Sequence, residues 1–143
     1  MSVLIEGGKV FYKGGFCEQD IQIENGRILT IGHKLHGDDK SIDARGLLIL
    51  PGLIDPHVHL REPGWEYKED FKTGSQAALA GGFTTIIDMP NNKIPTTTAQ
   101  RLREKEELAK KKAVCNVRFH MGTTDLNFNE IRKAEPDSLK IYM

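Results

Sequence analysis

The sequence predicts an α/β chain in which a small β-module precedes strands alternating with helices around a parallel sheet. Three observations carry that prediction. Short apolar runs separated by turn residues fill residues 1–46, and from residue 47 the pattern becomes β, α, β, α, β, α, β. The run LLILPGLID is also continuously apolar, as expected of a strand covered on both faces. This order allows a doubly wound sheet or the start of an eightfold barrel. The sequence has no GxGxxG or Walker A loop, so the nucleotide-binding version of the first lacks support.

Within the module, SVLIEGG and KVFYKGG read as strand and turn, and IQI-ENG-RILTI as a hairpin closed by Asn25 and Gly26, residues that tolerate positive φ. A polar stretch around HGDDKS follows. KEDFKTGSQAALAGG predicts a helix carrying Phe71, Ala77, Ala78 and Leu79, with the acids of Lys68–Asp70 at its start and Gly81-Gly82 at its end. FTTIIDM is a β-branched strand. In TTTAQRLREKEELAKKKA, Thr98 is the expected cap, and Ala99, Leu102, Leu108 and Ala109 mark the inner face. The REKEELAKKK segment reads as solvated, with pairs such as Glu106 to Lys110. VCNVRFHMG, LNFNEIRKAE and SLKIYM supply a strand, a short helix and a final strand.

Lys plus Arg and Asp plus Glu both total 20 in 143 residues, so no basic field favours nucleic acid or an anionic membrane. No apolar run approaches the roughly 20 residues that cross a bilayer. The two cysteines, Cys17 and Cys115, form no CxxC pair and read as small apolar residues; no secretory leader is legible, and a cytoplasmic setting is expected.

The chemistry concentrates in PGLIDPHVHLREPGWEYKEDF. Residues two apart on a strand share a face, so His57 and His59 converge at the end of the first barrel-type strand. Two imidazoles so placed can share one metal ion. A bare HxH is weak evidence, because histidine pairs also occur on ordinary strands. Asp55 and Asp88 are candidates for supporting polar positions, and His120 for a substrate-side or structural histidine. His33 and His36 are expected to be exposed, and Asn92 to be the turn residue of the Asn91-Asn92 pair.

PGLIDPHVHLREPG, the KED and AALAGGFT segments, DMPNNKIPTTT and LKIYM together resemble the amidohydrolase superfamily and, within it, the dihydroorotase family, most closely its short archaeal-type members. The resemblance covers nearly the whole chain. It implies the N-terminal part of a (β/α)8 TIM barrel, about three and a half βα units over residues 47–143, after a small β-sandwich-like module at residues 1–46 that a later segment completes. His57 and His59 are then metal ligands. Arg61 and Asn91 hold the substrate carboxylate, which a guanidinium can grip through two hydrogen bonds. Lys140, alone among apolar neighbours in SLKIYM, is the expected bridging ligand, because desolvation favours the neutral amine that reacts with carbon dioxide to form a carbamate. The cofactor implied is zinc, one or two ions per complete chain, with Lys140 carbamylated if two.

The implied reaction is the zinc-dependent, reversible hydrolysis of L-dihydroorotate to N-carbamoyl-L-aspartate in pyrimidine synthesis. Two further metal-binding histidines and the catalytic aspartate are expected beyond Met143, so the chain alone is expected to be inactive. Its partners would be the small-molecule substrate, the rest of its own barrel, and a second copy or aspartate transcarbamoylase; neither nucleic acid nor membrane is expected. Two alternatives stand beside this reading. One is another cyclic amidase, a hydantoinase or allantoinase, against which Arg61 argues, since a substrate without a ring carboxylate has less use for it. The other is a non-catalytic dihydroorotase-like scaffold, which commonly loses ligands that are filled here.

Overall fold

The computed structural model describes residues 2–37 and 40–143, so Asp38 and Asp39 of the polar HGDDKS stretch lie outside the described residues. Two compact units divide between Pro51 and Gly52.

The first unit is a five-stranded sheet of β1 (Ser2–Tyr12), β2 (Gly15–Glu24), β3 (Arg27–Gly32), β4 (Ser41–Asp43) and β5 (Leu48–Ile49). β1–β2 and β2–β3 are antiparallel hairpins, and β4 and β5 run parallel to β1. Both hairpins close on left-handed pairs, Lys13-Gly14 (φ 50 and 84) and Asn25-Gly26 (φ 51 and 76), whose twist matches that of the flanking strands. SVLIEGG and KVFY form one strand, with an irregularity between Ile5 and Gly8. There Asp20 accepts hydrogen bonds from the Gly7 N–H at 2.8 Å and, through its other oxygen, from the Leu35 N–H at 3.0 Å. The Gly7 bond is the largest cause holding the Asp20 carboxyl below its ordinary value. Leu4, Val10, Ile21 and Ala44 are buried.

The continuous LLILPGLID strand is not observed. Leu48–Ile49 pairs with Lys9 and Val10 of the first unit, and the next strand begins only at Leu53. Pro51 has no N–H to offer a ladder, and it falls where the two sheets separate. Nor is the run covered on both faces, since Leu53 is 46% and Ile54 62% exposed.

The second unit runs β6 (Leu53–Val58), α1 (Phe71–Ala80), β7 (Phe83–Asp88), α2 (Ala99–Lys112), β8 (Asn116–Gly122), α3 (Phe128–Ala134) and β9 (Ser138–Lys140). Its strands are parallel, in the order β6-β7-β8-β9. A doubly wound sheet reverses that order at a switch point; here each strand adds beside its predecessor, as in a barrel.

Helices form where the sequence supplies caps. Asp70 accepts from the Thr73 N–H at 2.8 Å, and Glu69 takes the Thr73 hydroxyl, so the KED acids do start α1. Thr98 accepts from the Arg101 N–H at the start of α2. Leu60, Phe71, Ile86, Leu102, Ala109 and Phe119 form the core between helices and sheet, with Phe71 edge-on to Phe119 at 6.0 Å. α2 departs from expectation at two points. Lys105 is fully buried, and Lys110 pairs with Glu107 at 2.6 Å rather than with Glu106.

Candidate active site

The C-terminal ends of β6, β7, β8 and β9 bring the chemical residues to one end of the sheet. At the end of β6, the rings of His57 and His59 lie 5.2 Å apart, centroid to centroid. Asp55 Oδ1 accepts the His57 N–H at 2.9 Å, fixing the backbone from which that ring projects. His59 Nδ1 stands 2.8 Å from Asn91 Oδ1. A carboxamide oxygen only accepts, so Nδ1 carries the hydrogen, and in the neutral ring Nε2 is the nitrogen with the lone pair. That is how a metal-binding imidazole is ordinarily held, with its other nitrogen on an outer acceptor. Asn91 is therefore hydrogen-bonded to His59, and its Nδ2 has no hydrogen-bond partner among the described residues.

Arg61 takes up a left-handed backbone (φ 61), unusual for a residue with a side chain, and accepts the Trp65 N–H at 3.2 Å through its carbonyl. It is half-buried, yet forms no ion pair among the described residues. The turn after it runs close against the next loop. A Cβ at Gly64 (φ 104) would lie 2.6 Å from the Lys93 Cβ, so both conformation and space require glycine there.

Lys140 closes β9 opposite Gly122, with its ammonium 5.5 Å from the Tyr142 ring centroid. His120 donates through Nε2 to the Pro56 carbonyl at 2.9 Å and accepts through Nδ1 from the Ser138 hydroxyl at 2.8 Å. It thus ties the residue before His57 to the residue two before Lys140. A cleft of about 430 Å³ opens at this end, lined by Asn91, Pro90 and Thr97 from the β7 side, Gly122 and Thr123 from β8, and Tyr142.

A hydrogen-bonded group beneath these loops was not legible in the sequence. Lys105 reaches inward from α2 and meets Asp88 Oδ2 at 2.7 Å, the Met89 carbonyl at 2.9 Å and Asn92 Oδ1 at 2.8 Å. Asp88 Oδ1 accepts the Leu60 N–H at 2.8 Å, and Asn92 Nδ2 donates to the Glu62 carbonyl at 2.7 Å. Glu62 accepts the Phe71 N–H at 3.0 Å and pairs with Lys112. Burial pushes the Lys105 ammonium below the ordinary lysine value, and the Asp88 carboxylate partly offsets that. Asn92, expected as the turn residue of the pair, does lie in a bend, and is buried at 4% exposure. The signal that could have found Lys105 is its spacing: it continues Ala99 and Leu102 toward Ala109 on the inner face.

The donor set fits a metal in part. Two imidazoles share a strand end and one has its tautomer fixed, but no group of three or more His, Cys, Asp or Glu side chains able to hold a metal occurs among the described residues. No helix among them is long and apolar enough to cross a membrane.

This chain is 48% identical over 129 residues to a dihydroorotase of Enterococcus faecalis and 40% identical over 125 residues to one of Methanothermobacter thermautotrophicus, in each case over 87% of its own length. It spans only about 30% of the length of these relatives. Among solved structures, L-hydantoinase (dihydropyrimidinase) from Arthrobacter aurescens superposes with a TM-score of 0.88 at 30% identity, over 93% of this chain and 30% of that one. A dihydropyrimidinase from Brevibacillus agri gives 0.80 at 32% identity, over 94% and 30%. The amidohydrolase family model matches residues 48–141, a span that includes the HxH strand and the Lys140 strand. The chain belongs to the amidohydrolase family, and its fold is that of the family's N-terminal barrel units.

Proposed function

We propose that this chain supplies the first strands and part of the active site of a zinc-dependent dihydroorotase, which opens and closes the ring of dihydroorotate. The observation that carries this reading is Arg61. A half-buried guanidinium with no carboxylate partner among the described residues, two residues from His59, is a receptor for a small acid. Its planar fork suits a ring-attached carboxylate, and the Asn91 Nδ2 can donate to the same ligand while Oδ1 stays on His59. Gripping the carboxylate holds the substrate in one orientation, so that its reacting carbonyl meets the histidine pair repeatedly in the same pose.

His57 and His59 would hold the first zinc, with Lys140, as its carbamate, the ligand shared with a second. Zinc, when bound, supplies hydroxide near neutral pH and polarises a carbonyl. The chain's own contributions are the free Nε2 of His59, the Arg61 and Asn91 clamp, and the struts made by Asp55 and His120. The unpaired cysteines fit a reducing, cytoplasmic setting.

The hydantoinase reading draws on the superposed structures, which are hydantoinases. A hydantoin has no ring carboxylate, and Arg61 would then lack a partner. Assaying the full-length protein against dihydroorotate, hydantoin and allantoin separates the two readings. Preference for dihydroorotate, lost in Arg61→Met, is expected; preference for hydantoin would reject the proposal.

A further inference from the structure

We infer that Lys105 is a positioning residue for the carboxylate clamp, holding the two strand-end loops in register so that Asn91 keeps its carboxamide oxygen on His59. The inference rests on the proposed role of His59 and Asn91 in the reacting site, and goes beyond it by assigning work to a helix on the far side of the sheet.

The connectivity is specific. Lys105 hydrogen-bonds two acceptors, the Met89 carbonyl and Asn92 Oδ1, and forms an ion pair with Asp88 Oδ2. Each contact then reaches a residue beside a site residue. Through Asp88 the group holds the Leu60 N–H, between His59 and Arg61. Through Asn92 it holds the Glu62 carbonyl, on the other side of Arg61. Met89 and Asn92 bracket Asn91. Arg61 and Asn91 are thus fixed from both flanks while the Arg61 guanidinium and the Asn91 Nδ2 stay free for a ligand.

Bulk filling alone does not explain a lysine here. Buried ion pairs seldom stabilise more than well-packed apolar groups of similar volume, because both charges lose water. An apolar side chain at residue 105 could fill the space but would leave the Asp88 carboxylate without its counter-charge and the Met89 carbonyl without its donor, and would leave Asn92 Oδ1 only the Thr96 hydroxyl. What the ammonium adds is one fixed geometry for two loops that are thirty residues apart in sequence.

The test reads the imidazole tautomer, which a merely structural role would not move. In the full-length protein, prepared metal-free at pH 8, nitrogen NMR of wild type should show His59 with its hydrogen on Nδ1. Two variants remove the strut: Asn92→Ala, and Lys105→Met combined with Asp88→Asn so that no bare carboxylate is left buried. Leu102→Ala is the control, loosening the same helix from the core without touching the strut. At temperatures where all remain folded by circular dichroism, both strut variants should shift the Nδ1–H to Nε2–H ratio of His59 at least about tenfold, and the control should keep the wild-type ratio. An unchanged ratio in the strut variants, an equal shift in the control, or a wild-type hydrogen on Nε2 overturns the inference. Zinc titration of wild type is a separate readout: absence of any effect on His57 and His59 counts against the proposed metal site, while the tautomer result still decides the role of Lys105.

Discussion

The Lys105 ammonium and the Asp88 carboxylate stand 2.7 Å apart, each side chain 1% exposed to solvent. Removing either partner leaves the other charge buried and uncompensated, which typically costs about 3–5 kcal/mol. Lys105→Met should therefore destabilise by about that amount. Adding Asp88→Asn to the same chain should recover part of the loss. Urea unfolding of the three proteins measures this, and equal stabilities for the single and double variants would show that the bare charge is not the source.

Gly74 lies inside α1, where alanine is ordinarily better by about 1 kcal/mol. Here a Cβ would sit 2.4 Å from Leu60 Cδ2, and Leu60 is buried at 3% exposure. Overpacking of that kind costs about 1–3 kcal/mol, so the clash outweighs the propensity. Gly74→Ala should lower the thermal midpoint, and Leu60→Ala in the Gly74→Ala background should cost less than Leu60→Ala alone, because the added methyl occupies part of the space vacated.

Asp20 gives the first unit a definite pH response. Its carboxyl is held below the ordinary 3.8, first by the Gly7 N–H. The unfolded chain then binds the proton more readily than the folded one, so the contribution is fully present above the ordinary value and fades as the pH falls through the lower folded value. Between pH 5 and 3 the wild-type urea midpoint should fall more steeply than that of Asp20→Asn. Parallel slopes would mean that Asp20 is not the group responsible.

Arg61 should matter for one substrate only. Hydrogen bonds to a charged group contribute about 1.5–3 kcal/mol, which corresponds to roughly 10–150-fold in kcat/KM. Arg61→Met in the full-length protein should lose that factor with dihydroorotate. A substrate lacking the carboxylate should be affected far less, and steady-state kinetics on both substrates would register the difference.

What could be read in the sequence was whatever depends on neighbours along the chain. Alternation placed His57 and His59 on one strand face, Thr98 and Asp70 could be recognised as caps, and Asn25-Gly26 as a turn. What was not legible involves partners far away. The burial of Asn92 could not be read because its Glu62 and Lys105 partners lie 30 and 13 positions distant. Lys105 looked solvated because it is surrounded by exposed Arg103, Glu104 and Glu107 in a charged run, although its own position continues the buried stripe. The role proposed for Arg61 comes from the resemblance; its left-handed backbone and lack of an ion pair among the described residues became apparent only in three dimensions.

The dryness of the strut under the loops has a consequence for ionic strength. Exposed pairs such as Arg45–Asp43, Lys110–Glu107 and Arg118–Asp137 face water, where added salt shields charges beyond about 8 Å at physiological concentration and weakens such pairs. Mobile ions cannot reach between Lys105 and Asp88. The relation of Asn91 to His59 should therefore be insulated from the salt content of the medium, even where the surrounding surface is not.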